Sequence, residues 1–107
     1  MIEISKIGVL GAGIMGSGIA QVAAQAGYQV TIRDIEDKFI ESGFDLIKKS
    51  LGIIQSKGKI TQDQANEVLA RIKGTTDFKE AVSDVNLVIE AVPEDLDLEK
   101  QIFKELD

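Results

Sequence analysis

Residues 6 to 18 read Lys6-Ile-Gly-Val-Leu-Gly11-Ala-Gly13-Ile-Met-Gly16-Ser-Gly18, an apolar strand running into three glycines at G-x-G-x-x-G spacing, the pattern of a dinucleotide-binding turn. Gly11 lets the strand swing sharply into a helix, Gly13 lets backbone N–H groups approach a diphosphate with no Cβ in the way, and Gly16 lets the helix lie close on the strand. The helix then aims its unpaired N–H groups and positive dipole end at the phosphates. Gly11, Ala12, Gly13, Ile14, Met15 and Gly16 are therefore the candidate phosphate contacts, and no basic side chain is required among them.

Outward from the turn, strand Lys6 to Leu10 leads to a helix over Ile14 to Ala26, with Ile19, Ala20, Val22, Ala23 and Ala26 expected to face a sheet. Gly27 suits a left-handed helix end, and the β-branched run from Tyr28 to Arg33 reads as a second strand. Strand, helix and strand make one right-handed βαβ unit, so the sheet is parallel. Asp34 closes the second strand, 18 residues beyond Gly16, where a carboxylate can accept hydrogen bonds from both hydroxyls of an adenosine ribose and repel an extra phosphate. That pairing points to NAD rather than NADP. Arg33 could neutralise a phosphate, but strand alternation turns it away from Asp34. A methyl-donor-binding turn commonly has an acidic residue just before the first glycine, where this chain has Val9 and Leu10.

Beyond Asp34 the period becomes helical. Ile40, Phe44, Ile47, Leu51 and Ile54 form one apolar stripe, although Gly43 and Gly52 inside it each cost about 1 kcal/mol of helix propensity. Gly58 is the natural stop, and Thr61-Gln-Asp-Gln64 matches a capping box opening a shorter helix with Ala65, Val68, Leu69 and Ile72 inward. The two make a helical hairpin inserted after the second strand. A brief strand is expected at Gly74 to Asp77, a short helix at Phe78 to Ser83, and a buried parallel strand at Val85 to Val92, stopped by Pro93. A final helix would place Leu96, Ile102, Phe103 and Leu106 on one face.

Ala91, Val92 and Glu94 stand at the carboxyl end of that last strand, where ligands of parallel sheets gather. Glu94 either meets the cofactor or, like Asp95, complements the dipole of the following helix. Lys48, Lys49, Lys57 and Lys59 interrupt an acidic chain. They form a solvated face, or else Lys57 and Lys59 join Ser50 as a seat for a phosphorylated ligand.

The 107 residues carry a net charge of −6 with 44% hydrophobic residues and one proline, a globular composition for one domain. Acidity argues against nucleic acid, which needs a basic face. Neither cysteine nor histidine is present, so no disulfide framework or metal site is expected, and the commonest general base is missing. With no signal peptide or long apolar run, a cytoplasmic protein away from membranes is expected.

Ile7-Gly-Val-Leu-Gly-Ala-Gly-Ile-Met-Gly-Ser-Gly-Ile-Ala-Gln21, Arg33-Asp-Ile35, Lys57-Gly-Lys59 and Val88-Ile-Glu-Ala-Val-Pro-Glu94 together resemble the NAD-binding domain of the 3-hydroxyacyl-CoA dehydrogenases, as in bacterial and archaeal 3-hydroxybutyryl-CoA dehydrogenases. The resemblance spans nearly the whole chain. It implies a Rossmann-type α/β fold with a helical hairpin insertion, truncated to a partial NAD-binding domain over 1–107, and hydride transfer between NAD and the 3-hydroxyl carbon of an acyl-CoA. It also implies NAD contacts at Asp34 and Glu94 and acyl-CoA contacts at Ser50 and Lys57. Where the family commonly has a lysine near the nicotinamide, this chain has Glu99 followed by Lys100, so the register slips or that contact is lost. The family's catalytic histidine and its helical C-terminal domain with the homo-oligomer interface have no counterpart here. No catalytic residue is therefore assigned, and the chain alone is expected to be inactive. The alternatives are an NAD-sensing module without turnover, or another β-hydroxyacid dehydrogenase.

Overall fold

A computed structural model of the chain describes residues 4–91. Four parallel strands, β1 (Lys6–Leu10), β2 (Gln29–Arg33), β3 (Ile72–Thr75) and β4 (Leu87–Glu90), lie in the order β3-β2-β1-β4. Four helices connect them: α1 (Ile14–Gln25), α2 (Asp37–Ser56), α3 (Gln62–Ala70) and α4 (Phe78–Val82). This is the expected α/β, Rossmann-type sheet with a helical hairpin, α2 and α3, after β2.

Alternation along the central strands divides the sheet into two unlike faces. Ile7 and Val9 of β1 sit in register with Val30 and Ile32 of β2, all four buried, and they join Ile47 and Leu51 of α2 and Val68 of α3 in the core. The alternate residue Arg33 goes the other way. Its Nε donates to the Thr76 carbonyl at 3.1 Å and its guanidinium lies over the Phe78 ring, which fixes it on the α4 side as strand alternation required.

Helix α1 turns a stripe of its smallest residues, Gly16, Ala20, Ala23 and Ala24, into the protein, which brings its axis close to the strands. Ala20 and Ala23 fall where expected, but Val22 is 67% exposed and Ala26 is also outside. Rotating Val22 inward would replace the small stripe and push the helix off the sheet, whereas Ala26 is the C-cap, one residue beyond the helix. The stripe of α2 buries Ile40, Ile47 and Leu51 as read from the sequence, with Phe44 packed on the core. Gly27 and Gly58 follow their helices with φ of 102° and 73°, the left-handed geometry of helix ends. The capping box is complete: Gln64 N–H donates to Thr61 Oγ1 at 3.1 Å, and Thr61 N–H donates to Gln64 Oε1 at 2.8 Å.

Two expectations shift. The third strand is Ile72–Thr75 rather than Gly74 to Asp77, because Ile72 pairs with Val30 of β2 instead of closing α3. Asp77 instead caps α4, its Oδ1 accepting from Lys79 N–H at 2.9 Å and from Glu80 N–H. The fourth strand is shorter than Val85 to Val92 and is not buried. It pairs with β1 and is an edge strand among the described residues, with Leu87 and Val88 each about two-fifths exposed. The expected helix carrying Leu96, Ile102, Phe103 and Leu106 lies outside the described residues.

Lys6, at the start of β1, pairs with Asp84 at 2.8 Å, and Lys73 of β3 pairs with Glu80, which also accepts from Thr75 Oγ1. Hydrogen bonds from Lys73 and Thr75 hold the Glu80 carboxyl below its usual value, and Lys6 does the same for Asp84. A lowered folded-state pKa contributes stability above the unfolded value and loses it as pH falls through the folded one. Glu80→Gln should therefore lower Tm slightly at pH 6, and the difference should close as pH drops below the ordinary carboxylate value of 4.5. Thermal melts from pH 6 to pH 3 check this, and a difference independent of pH would refute it.

Candidate functional site

The turn after β1 is shaped by contacts that side chains could not share. Gly11 has φ 116° and donates its N–H to the Arg33 carbonyl at 2.7 Å. A Cβ on Gly11 would overlap the Ala91 carbonyl oxygen, and one on Gly16 would overlap the Gly11 carbonyl oxygen. Ala91 N–H donates to Leu10 O at 2.8 Å. The end of β4 is thereby seated against the turn, with Ala91 buried beneath it.

Gly13 is the N-cap of α1 and supplies no side-chain cap, and the first turn holds no acidic residue. A Cβ at Gly13 would meet nothing within 4 Å, so the missing side chain leaves open space directly in front of the helix N-terminus. Ile14 and Met15 are exposed beside it, at 82% and 48%. These residues fit a diphosphate, which needs free N–H donors, close backbone approach and no competing carboxylate.

Asp34 follows β2 and reaches back across the turn. Its Oδ2 accepts from Ala12 N–H at 2.9 Å and its Oδ1 from Ile35 N–H at 2.7 Å. A carboxylate offers about four lone-pair positions, so this half-buried group can still accept from a ribose diol. It borders a cleft of about 370 Å³ lined by Ala12, Gly13, Ile14, Asp34, Ile35, Phe39, Ser42 and Leu46. Ile35, Phe39, Ser42 and Leu46 were not among the sequence candidates. The signal the sequence offers is that Phe39 and Leu46, both apolar, lie seven apart, each one residue ahead of the stripe residues Ile40 and Ile47; the structure leaves both about 40% exposed.

Ser50 and Lys57 do not line this cleft. Ser50 faces α1, where its Oγ accepts from the buried Gln21 Nε2 at 3.0 Å, and Lys57 is the exposed C-cap of α2, about two turns further on. Val92, Glu94, Glu99 and Lys100 lie outside the described residues.

A parallel sheet with a glycine turn at the carboxyl end of β1, an open helix N-terminus and an acid after β2 defines a dinucleotide-binding domain. The comparisons narrow the class. Residues 6–107 match the family model of the 3-hydroxyacyl-CoA dehydrogenase NAD binding domain. A probable 3-hydroxybutyryl-CoA dehydrogenase of Deinococcus radiodurans is 46% identical over 101 residues, covering 94% of this chain and 36% of that protein. The crystal structure of FadB2 from Mycobacterium tuberculosis superposes with a TM-score of 0.84 at 44% identity, over 99% of this chain and 37% of that one. That of (S)-3-hydroxybutyryl-CoA dehydrogenase from Ralstonia eutropha gives 0.83 at 38% identity, over 96% and 36%. The chain belongs to the 3-hydroxyacyl-CoA dehydrogenase family and corresponds to its NAD-binding domain. It spans about a third of the length of these relatives.

Proposed function

We propose that this chain is the cofactor-holding domain of an NAD-dependent oxidoreductase that interconverts a 3-hydroxyacyl-CoA and its 3-ketoacyl-CoA, with the short 3-hydroxybutyryl substrate named for its relatives as the first choice. The observation that carries the reading is the meeting of the glycine turn and Asp34 at Ala12, within one cleft. Bound NAD would supply the hydride acceptor, or NADH the donor. The turn's backbone N–H groups bind and orient the diphosphate, and Asp34 accepts from the adenosine ribose. Ile35, Phe39 and Leu46 offer an apolar seat for the adenine and keep water from that side of the cleft.

Ser50 and Lys57 would meet the coenzyme A part of the substrate, a role that their match to the family supports. Gln21 donates to Ser50, which leaves the serine hydroxyl proton free for an outside acceptor. Val92 and Glu94 would complete the nicotinamide side. The chain lacks histidine, the commonest general base, and its match to the family supports a base supplied from outside these 107 residues, so this chain by itself should not turn over substrate. We place the working enzyme in the cytoplasm as a homo-oligomer. Among the described residues, no helix is long and apolar enough to cross a membrane.

Calorimetric titration of the chain with NADH, NADPH and CoA tests the reading. NADH should bind measurably and NADPH at least about tenfold more weakly, a difference of about 1.4 kcal/mol. Absence of NADH binding, or tighter NADPH binding, would overturn it.

A further inference from the structure

Helix α2 carries two interior glycines, and only one has a steric use. At Gly52 an added Cβ would meet nothing within 4 Å. At Gly43 it would stand 2.7 Å from the Ala12 carbonyl oxygen and 3.2 Å from the Ala12 methyl. Gly43 is buried, and Ala12 is 2% exposed. The middle residue of Gly11-Ala12-Gly13 is thus held on two sides: its N–H by Asp34 Oδ2 at 2.9 Å, and its carbonyl and methyl by the bare backbone of α2. Gly11 is already held by Arg33 O and the Ala91 carbonyl, so Ala12 is the next fixed point before Gly13, whose missing side chain leaves it conformationally free.

We propose that Gly43 is a positioning residue of the dinucleotide site, the gap in α2 into which Ala12 fits so that the turn keeps its binding shape. The hairpin after β2 is thereby part of the cofactor site's framework. The functional half of this inference rests on the NAD-binding reading above, while the structural half does not. A side chain at position 43 displaces Ala12 or α2 by a few tenths of an ångström, and the N–H groups facing the diphosphate move with the turn.

Gly43→Ala and Gly52→Ala make the test, because both replace glycine by the better helix former in one helix. Gly52→Ala should raise Tm and leave NADH affinity and the Ala12 amide resonance unchanged. Gly43→Ala should shift the Ala12 amide, speed its hydrogen exchange and weaken NADH by about tenfold at temperatures where the variant is fully folded. If Gly43→Ala does not fold, Ala12→Gly approaches the contact from the other side, and should weaken NADH several-fold and speed exchange at position 12. An unmoved amide or an unchanged affinity in the variant that folds overturns the proposal. If the parent chain binds no NADH, the functional reading fails, and the amide measurements alone decide whether Gly43 positions the turn.

Discussion

Gly16→Ala is expected to abolish measurable NADH binding and to lower thermal stability. The new methyl would overlap the Gly11 carbonyl oxygen, stand 2.7 Å from the Gly11 carbonyl carbon and touch the Ala91 methyl at 3.4 Å. All but the last are backbone atoms of the turn itself, and Gly11 is fixed in turn by its hydrogen bond to Arg33 O and by the Ala91 carbonyl beside it. Relief therefore requires the start of α1 to leave the strand. Overpacking of this kind costs about 1–3 kcal/mol or more, and the displaced N–H groups should weaken NADH by about 100-fold or more. Gly18→Ala is the matched control, since nothing lies within 4 Å of a Cβ there. It should stabilise α1 by up to about 1 kcal/mol through helix propensity. Calorimetry and thermal melts on both variants decide the matter. A Gly16→Ala protein binding NADH within threefold of the parent would mean that the close approach is not needed.

The parts of the site that were legible in the sequence are those built from local chemistry. The glycine spacing, the capping box at Thr61 and Gln64, and the acid at the end of β2 each depend on a few neighbouring residues. What was missed depends on partners distant in sequence. Ile72 fits the apolar period of α3 as well as a strand, and only its register with Val30 decides. Val22 fits the apolar side of α1 by its period, yet a helix that must lie close to a sheet buries its smallest residues, and Val22 is left outside. An apolar run such as Val85 to Val92 suits a central strand, whereas strand order places β4 at an edge among the described residues. Phe39 and Leu46 stand one residue ahead of the buried stripe, so a helical period marks them as surface until the cleft beside Asp34 is seen. Gly43 carried only a propensity cost until Ala12 was found against it.

Asp34→Ala should weaken NADH by about 10- to 100-fold and narrow the preference over NADPH. The loss has two sources, because the carboxylate is the acceptor for Ala12 N–H as well as the proposed acceptor for the ribose hydroxyls. Hydrogen bonds to a charged group contribute about 1.5–3 kcal/mol each, which sets the range. NADPH is affected differently. On the proposed reading Asp34 would repel its added phosphate in the parent, so removing the charge should offset the loosened turn and leave NADPH affinity nearly constant. Arg33 cannot convert the site to NADP on its own, since Thr76 O and the Phe78 ring hold its guanidinium on the opposite face of the sheet. Asp34→Asn separates the two sources. Its amide oxygen can still accept from Ala12 N–H, so the turn should keep most of its shape, while the charge that discriminates against the phosphate is gone. The expected order of NADH affinity is parent, Asn, then Ala, with the NADH to NADPH ratio falling in both variants. An unchanged ratio in Asp34→Ala would show that the carboxylate holds the turn without selecting the cofactor.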